Sequence, residues 1–116
     1  ATPGHTPGGA SWSWRDCEGD RCIDLVFADS LNPVSHDDFQ FGDDPERIAT
    51  FRSSIEKVRA LPCDLLISAH PSQSRLFERQ AKDALVDAGA CQTYADEASA
   101  RLDQRLATER TQAPID

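Results

Sequence analysis

The sequence has no methionine, a single tyrosine, and only 12 basic side chains against 20 acidic ones, for a formal charge of −8. That shortage of positive charge argues against nucleic acid as a partner, because binding to phosphate backbones needs a clustered cationic face that displaces counterions. No apolar run approaches the ~20 residues of a membrane-spanning helix, so no membrane partner is expected either. No signal peptide opens the chain, and the missing methionine predicts a polypeptide that was processed, cleaved or excised. At 116 residues there is room for one domain with a modest core. The chain opens on Ala1-Thr2-Pro3-Gly4, which is already loop chemistry, so it reads as the C-terminal portion of something longer.

The four cysteines, Cys17, Cys22, Cys63 and Cys91, lack the two-residue gap of zinc ribbons and fingers. Two disulfides are therefore expected in preference to cysteine-bound zinc, and with them an oxidising compartment. Three pairings are possible in principle. A local bridge closing the turn at Cys17-Glu18-Gly19-Asp20-Arg21-Cys22, with Cys63 meeting Cys91, is the arrangement that suits the pattern.

Along the chain, residues 1–9 read as a loop and Ala10-Ser11-Trp12-Ser13-Trp14 as a short half-buried strand, since small or polar residues alternate with aromatic ones. Ile23-Asp24-Leu25-Val26-Phe27 predicts an antiparallel partner, with the polar segment 15–21 as the turn. A long irregular loop from Asn32 to Asp44 follows, anchored by Phe39 and Phe41. Asp43 or Asp44 then caps a helix with Pro45 at its first position, and Ile48, Phe51, Ile55 and Val58 form its apolar face up to Leu61. Residues 64–67 give the next strand. A helix entered through Ser72 or Ser74 is expected to turn Phe77, Ala81, Ala84, Leu85 and Ala88 inward and to stop at Gly89. The last helix, from about Cys91 to Glu109, puts Tyr94, Ala98, Leu102 and Leu106 on one stripe and pairs Glu97 with Arg101 on the wet side. Residues 111–116 are expected to fray.

This order predicts the α/β class, a small sheet with helices on one face. The other face is left bare, and Trp12, Trp14, Val26 and Phe27 carry more apolar surface than water tolerates. A cover from the other half of a larger sandwich is expected.

The residues that carry chemistry sit at loops and strand ends. His5 lies between glycines and a proline in Gly4-His5-Thr6-Pro7-Gly8-Gly9, and His70 directly follows the apolar run Leu65-Leu66-Ile67. Asp29 and Ser30 end the second strand. Two imidazoles and a carboxylate suit zinc, but the set is incomplete for a catalytic site. Each residue also has an ordinary role open to it: the histidines as loop supports, Asp29 and Ser30 as turn or cap residues. His36, beside Asp37 and Asp38, reads as a solvated loop residue or a stray ligand. Trp12 and Trp14 read as core or sheet-face packing, with nothing basic beside them to make a stacking platform.

Pro3-Gly4-His5-Thr6-Pro7-Gly8-Gly9, Ser11-Trp12-Ser13-Trp14, Phe27-Ala28-Asp29-Ser30-Leu31, Arg59-Ala60-Leu61-Pro62-Cys63-Asp64 and Ala69-His70-Pro71 together resemble the C-terminal half of a class B metallo-β-lactamase of the third subclass. The likeness runs in order from about residue 3 to residue 110. The resemblance implies one αβ half of a four-layer αββα sandwich, occupying residues 1–116. It implies hydrolysis of the β-lactam ring of penicillins, cephalosporins and carbapenems by a metal-bound hydroxide, hence antibiotic resistance. Two Zn2+ ions serve the complete active site, with His5 a ligand of the first and His70 of the second. Ser30 is implied as the residue that hydrogen-bonds zinc-bound water or the substrate carboxylate. Asn32 stands where relatives often carry Ser or Thr for that carboxylate. Asp29 competes weakly with Ser30, because in related hydrolases an aspartate near this point bridges the metals. Cys63 and Cys91 match the family's common disulfide, and Cys17 with Cys22 an extra one. The family's periplasmic or secreted location agrees with the cysteines. The His-x-His-x-Asp-His motif that supplies the other ligands is absent, so an N-terminal half carrying it is the implied partner, and this chain alone is expected to be inactive. A thioester or lactone hydrolase of the same superfamily, or a non-catalytic disulfide-stabilised module, are the alternatives.

Overall fold

The computed structural model describes residues 1–34 and 39–112; His36 lies outside the described residues, as do the final four positions. Three strands, β1 (Trp12–Glu18), β2 (Arg21–Ala28) and β3 (Leu65–Ser68), form one mixed sheet in the order β1-β2-β3. β1 pairs antiparallel with β2, and β2 parallel with β3. A 3₁₀ turn, Phe41–Asp43, leads into α1 (Pro45–Ala60), and α2 (Pro71–Ser74), α3 (Leu76–Ala81) and α4 (Ala90–Gln112) follow β3. No described helix is long and apolar enough to cross a membrane.

The hairpin is longer than its sequence predicts. Segment 15–21 does not form the turn; the ladder continues through Cys17 opposite Cys22 to Glu18 opposite Arg21. Only Gly19 and Asp20 remain as the loop, with Gly19 at φ 62, a conformation that glycine adopts without steric cost. Cys17 and Cys22, direct cross-strand partners, are disulfide-bonded, which locks that register. The other disulfide joins Cys63, ahead of β3, to Cys91 in the first turn of α4.

Alternation along β2 and β3 sorts the sheet into two faces. Val26, Ala28 and Leu66 are fully buried and Ser68 nearly so. They pack on Ile55 and Val58 of α1 and on Cys91, Tyr94, Ala95 and Ala98 of α4. Trp12, Trp14, Leu25, Phe27, Leu65 and Ile67 are register partners on the opposite face. No described helix covers them: Trp12 is 67% and Trp14 45% exposed. Trp12, Trp14 and Phe27 stand on the bare face as expected, but Val26, expected there with them, is turned into the core by the period-two pleat.

α1 starts as expected, with the Asp44 carboxylate accepting from the Arg47 N–H at 3.0 Å and Pro45 at the first position. Phe51, Ile55 and Val58 are buried. A second cluster of Phe41, Phe51 and Leu102, flanked by Phe39, Ile48 and Leu106, fastens the 3₁₀ turn between α1 and α4.

The segment after His70 departs from expectation. One helix through residue 88 was predicted, but Arg75 (φ 54) and Asp83 (φ 55) adopt left-handed conformations that break it, and Phe77 is 67% exposed. The cause is the Arg79 guanidinium, which donates to the carbonyls of Leu66, Ser74 and Leu85 and so folds the chain back on itself. Val86 then bridges to Leu65, and the Asp87 N–H donates to the Asp64 carbonyl. Gly89 precedes α4 and terminates nothing. Glu97 pairs with Arg75 at 2.6 Å rather than with Arg101, whose Nε and Nη2 are buried without a described partner. α4 carries on through residues 111 and 112, which were expected to fray.

Candidate metal and substrate site

Because β2 and β3 are parallel, their C-terminal ends lie side by side, so the chain segments that leave them, at Asp29 and Ala69, share one rim. The antiparallel β1 brings its N-terminal end, and with it the histidine loop, to the same rim: Trp12 sits opposite Phe27, and Phe27 beside Ile67. His5, Asp29, Ser30, Asn32 and His70 therefore all belong to loops at one edge of the sheet.

The loop around His5 is tightly built. The Thr2 N–H donates to the Gly9 carbonyl at 2.9 Å, and the Thr6 carbonyl accepts from both Gly4 and Gly9. Gly9 has no room for a side chain: a Cβ there would lie 2.8 Å from Asp29 Oδ2 and 2.8 Å from the Thr2 carbonyl. The Asp29 carboxylate is thus turned towards this loop. The Ser54 hydroxyl donates to the Pro3 carbonyl at 2.6 Å, tying the loop to α1.

His5 Nδ1 lies 2.8 Å from the Asn32 carbonyl. A carbonyl only accepts, so Nδ1 is the donor here, and in the neutral ring the lone pair is on Nε2. This is the arrangement in which an imidazole is oriented as a metal ligand by the group behind it. His70 stands at the N-terminal boundary of α2 with its ring exposed and not used as a cap. Its carbonyl, which accepts from the Ser68 hydroxyl at 2.7 Å and the Gln73 N–H at 3.0 Å, fixes its backbone. Two nitrogen donors of the right chemistry for zinc are present. Among the described residues no group of three His, Cys, Asp or Glu side chains forms a metal cage.

Ser30 is 3% exposed, and its Oγ accepts from the Asn32 N–H at 3.3 Å, which leaves its own proton to donate. Asn32 holds His5 through its main chain, leaving its half-buried amide for another partner. The pattern had indicated His5 and Asn32 as separate candidates; the fold links them directly.

Two supports were not legible as such. Tyr94 was expected only as core, yet its hydroxyl donates to the Asp29 carbonyl at 2.9 Å and holds the turn that carries Ser30. Burial pushes this hydroxyl up to about 12, so it stays a donor across the physiological range. The shift favours the protonated folded state. The stability it contributes is complete below the unfolded value near 10 and is lost as pH rises towards 12, on the order of 3 kcal/mol across that window. Tyr94 is this chain's only tyrosine, so phenolate absorbance of the isolated chain should appear near pH 12 or together with alkaline unfolding. A midpoint near 10 in the folded chain would show the hydroxyl to be solvated. Arg47 is the second support, donating from Nε to the Gly4 carbonyl at 3.0 Å and from Nη2 to the His5 carbonyl at 3.3 Å. A cation in the first turn of a helix opposes the helix dipole, and that was its one sequence signal.

No family profile matches the chain. Among solved structures it is similar to the metallo-β-lactamase SMB-1 in complex with mercaptoacetic acid, at 47% identity over 94% of this chain and 45% of that one, with a TM-score of 0.85. It is also similar to the metallo-β-lactamase MIM-1 from Novosphingobium pentaromativorans, at 43% identity over 97% of this chain and 42% of that one, with a TM-score of 0.89. MEM-A1, a subclass B3 metallo-β-lactamase from a soil metagenome library, matches at 41% identity over 97% of this chain and 46% of that one, with a TM-score of 0.90. The chain spans less than half the length of each. Its mixed sheet with helices on one face corresponds to one half of their fold.

Proposed function

For a chain that belongs to the subclass B3 metallo-β-lactamases and spans between 42% and 46% of the relatives compared, we propose that it supplies one αβ half of a zinc-dependent β-lactam hydrolase. The observation that carries this reading is the His5 ring, its Nδ1 donating to the Asn32 carbonyl and its Nε2 without a partner among the described residues, on the rim that also bears His70.

His5 and His70 are the residues of this chain that would hold zinc, each on a different ion of the pair. Zinc, when bound, supplies Lewis-acid polarisation of the lactam carbonyl and makes water acidic enough to attack near neutral pH. The chain's own residues orient and bind. The Asn32 carbonyl fixes the His5 tautomer, and Tyr94 fixes the turn of Ser30. The Ser30 hydroxyl and the Asn32 amide would donate to the substrate carboxylate, and the Asp29 carboxylate, which fills the space a Gly9 side chain would need, would buttress the histidine loop.

The remaining ligands come from a half that carries His-x-His-x-Asp-His. That half also covers the face of Trp12, Trp14, Leu25 and Phe27, which completes a two-sheet sandwich. Two disulfides suit a periplasmic or secreted location.

The test uses the complete domain, meaning this chain together with that half. Elemental analysis should find two zinc ions per domain, and carbapenem hydrolysis should exceed hydrolysis of a thioester or a lactone. The isolated chain should bind zinc weakly and turn nothing over. A complete domain that is free of zinc and inert would defeat the proposal, and preference for the thioester would move it to another hydrolase of the superfamily.

A further inference from the structure

We propose that Arg47 is a positioning residue for His5, a clamp that sets the direction of the imidazole by holding the backbone of its loop; the inference rests on the reading of His5 as a zinc ligand. One edge of the guanidinium donates to the carbonyls of Gly4 and His5. Its centre stands 4.8 Å from the ring centroid of Phe41, 5.1 Å from that of Phe39 and 5.9 Å from that of Phe51. Arginine is suited to this place because a flat cation stacks on aromatic rings while its fork engages two acceptors.

The aromatic shelf is itself anchored. The buried Glu109 carboxylate, near the end of α4, accepts from the N–H groups of Phe41 and Gly42, and Arg105 donates to the Phe39 carbonyl at 2.7 Å. A continuous chain of contacts thus runs from the C-terminal end of α4, through the 3₁₀ turn and Arg47, to the main chain of His5. The ring is held independently by the Asn32 carbonyl. With both backbone and ring restrained, Nε2 has one direction; without Arg47 the loop keeps its internal hydrogen bonds and the Ser54 tie, but the carbonyls of Gly4 and His5 lose the group that fastens them to the aromatic shelf.

Removing an outer-shell support commonly weakens metal binding by about 10- to 100-fold. In the complete domain, Arg47→Met should lower zinc affinity, measured by competition with a chelator, by about tenfold. In the metal-free protein the same change should shift the His5 imidazole nitrogen resonances, because a displaced backbone lengthens the contact between the ring and the Asn32 carbonyl. Arg47→Lys keeps the charge and one donor and should fall between Arg47→Met and the unsubstituted protein in both measurements. Val58→Ala, in the core away from the loop, should lower the melting temperature without moving either. If Arg47→Met does not fold, Arg47→Lys carries the test. Unchanged His5 resonances and zinc affinity, with only a lower melting temperature, would overturn the clamp. Failure of the unsubstituted domain to take up zinc would remove the ligand role of His5, whereas the metal-free resonances would still decide whether Arg47 sets its ring.

Discussion

Replacing His5 by alanine in the complete domain is expected to reduce carbapenem kcat/KM about 10³-fold, the loss of several kcal/mol of transition-state stabilisation. The expectation separates chemistry from stability because the His5 side chain contributes little to the fold. Its one hydrogen bond to the described chain, to the Asn32 carbonyl, is worth about 1 kcal/mol. His70→Ala should lose activity in the same way with a still smaller change in melting temperature, since that ring is exposed and caps nothing. Each variant should also lose zinc. Kinetics, metal content and thermal unfolding measured on one preparation decide the matter. Full turnover by either variant would remove that histidine from the metal set.

Phe51→Ala is expected to cost about 3–5 kcal/mol, a large part of the 5–15 kcal/mol that keeps an ordinary domain folded. Phe51 is fully buried and meets Phe41 edge-on, with ring centroids 5.8 Å apart. It is also the floor of the histidine loop. Gly4 sits on it so closely that a Cβ would lie 2.8 Å from Phe51 Cδ1. Losing the ring therefore opens a cavity and unseats the segment next to His5, so zinc affinity should fall together with the denaturant midpoint. Enlarging the other partner does not compensate. Gly4 has a φ of 145, which a residue with a Cβ adopts only under strain, so a Phe51→Ala, Gly4→Ala double variant should be no more stable than Phe51→Ala alone. A loss below 1 kcal/mol for Phe51→Ala would show that the aromatic cluster is not what seats the loop.

Where local chemistry decides conformation, the sequence was a sufficient guide. Asp44 and Pro45 begin α1 as expected because capping and a preset φ act within three residues. The alternation of Ile23 to Phe27 and the run Leu65 to Ile67 became strands, and both disulfides formed as expected. The expectations that failed are those in which distant groups intervene. Phe77, Ala81, Ala84 and Ala88 have helical spacing, but Arg79 pulls in three carbonyls from separate segments, and a helix cannot satisfy that demand while running straight. Val26 was expected on the bare face with Trp12 and Trp14, but its place in the pleat is settled by pairing with Leu66 under the helices, while the two tryptophans stay on the bare face as expected.

The site divides along the same line. By itself the sequence determined which atoms are available for chemistry: two imidazoles in glycine- and proline-flanked turns, a serine and an aspartate at a strand end, and too few ligands for a closed metal centre. Their motifs also pointed to the metallo-β-lactamases to which the chain is similar. Tertiary structure alone decided how those atoms are held: the Asn32 carbonyl behind His5, the Tyr94 hydroxyl under Asp29, and Arg47 between the aromatic shelf and the loop. The reason is physical. A residue's identity sets what it can donate or accept, whereas its direction is set by partners 27, 65 and 43 positions away, brought near only when the sheet and helices pack.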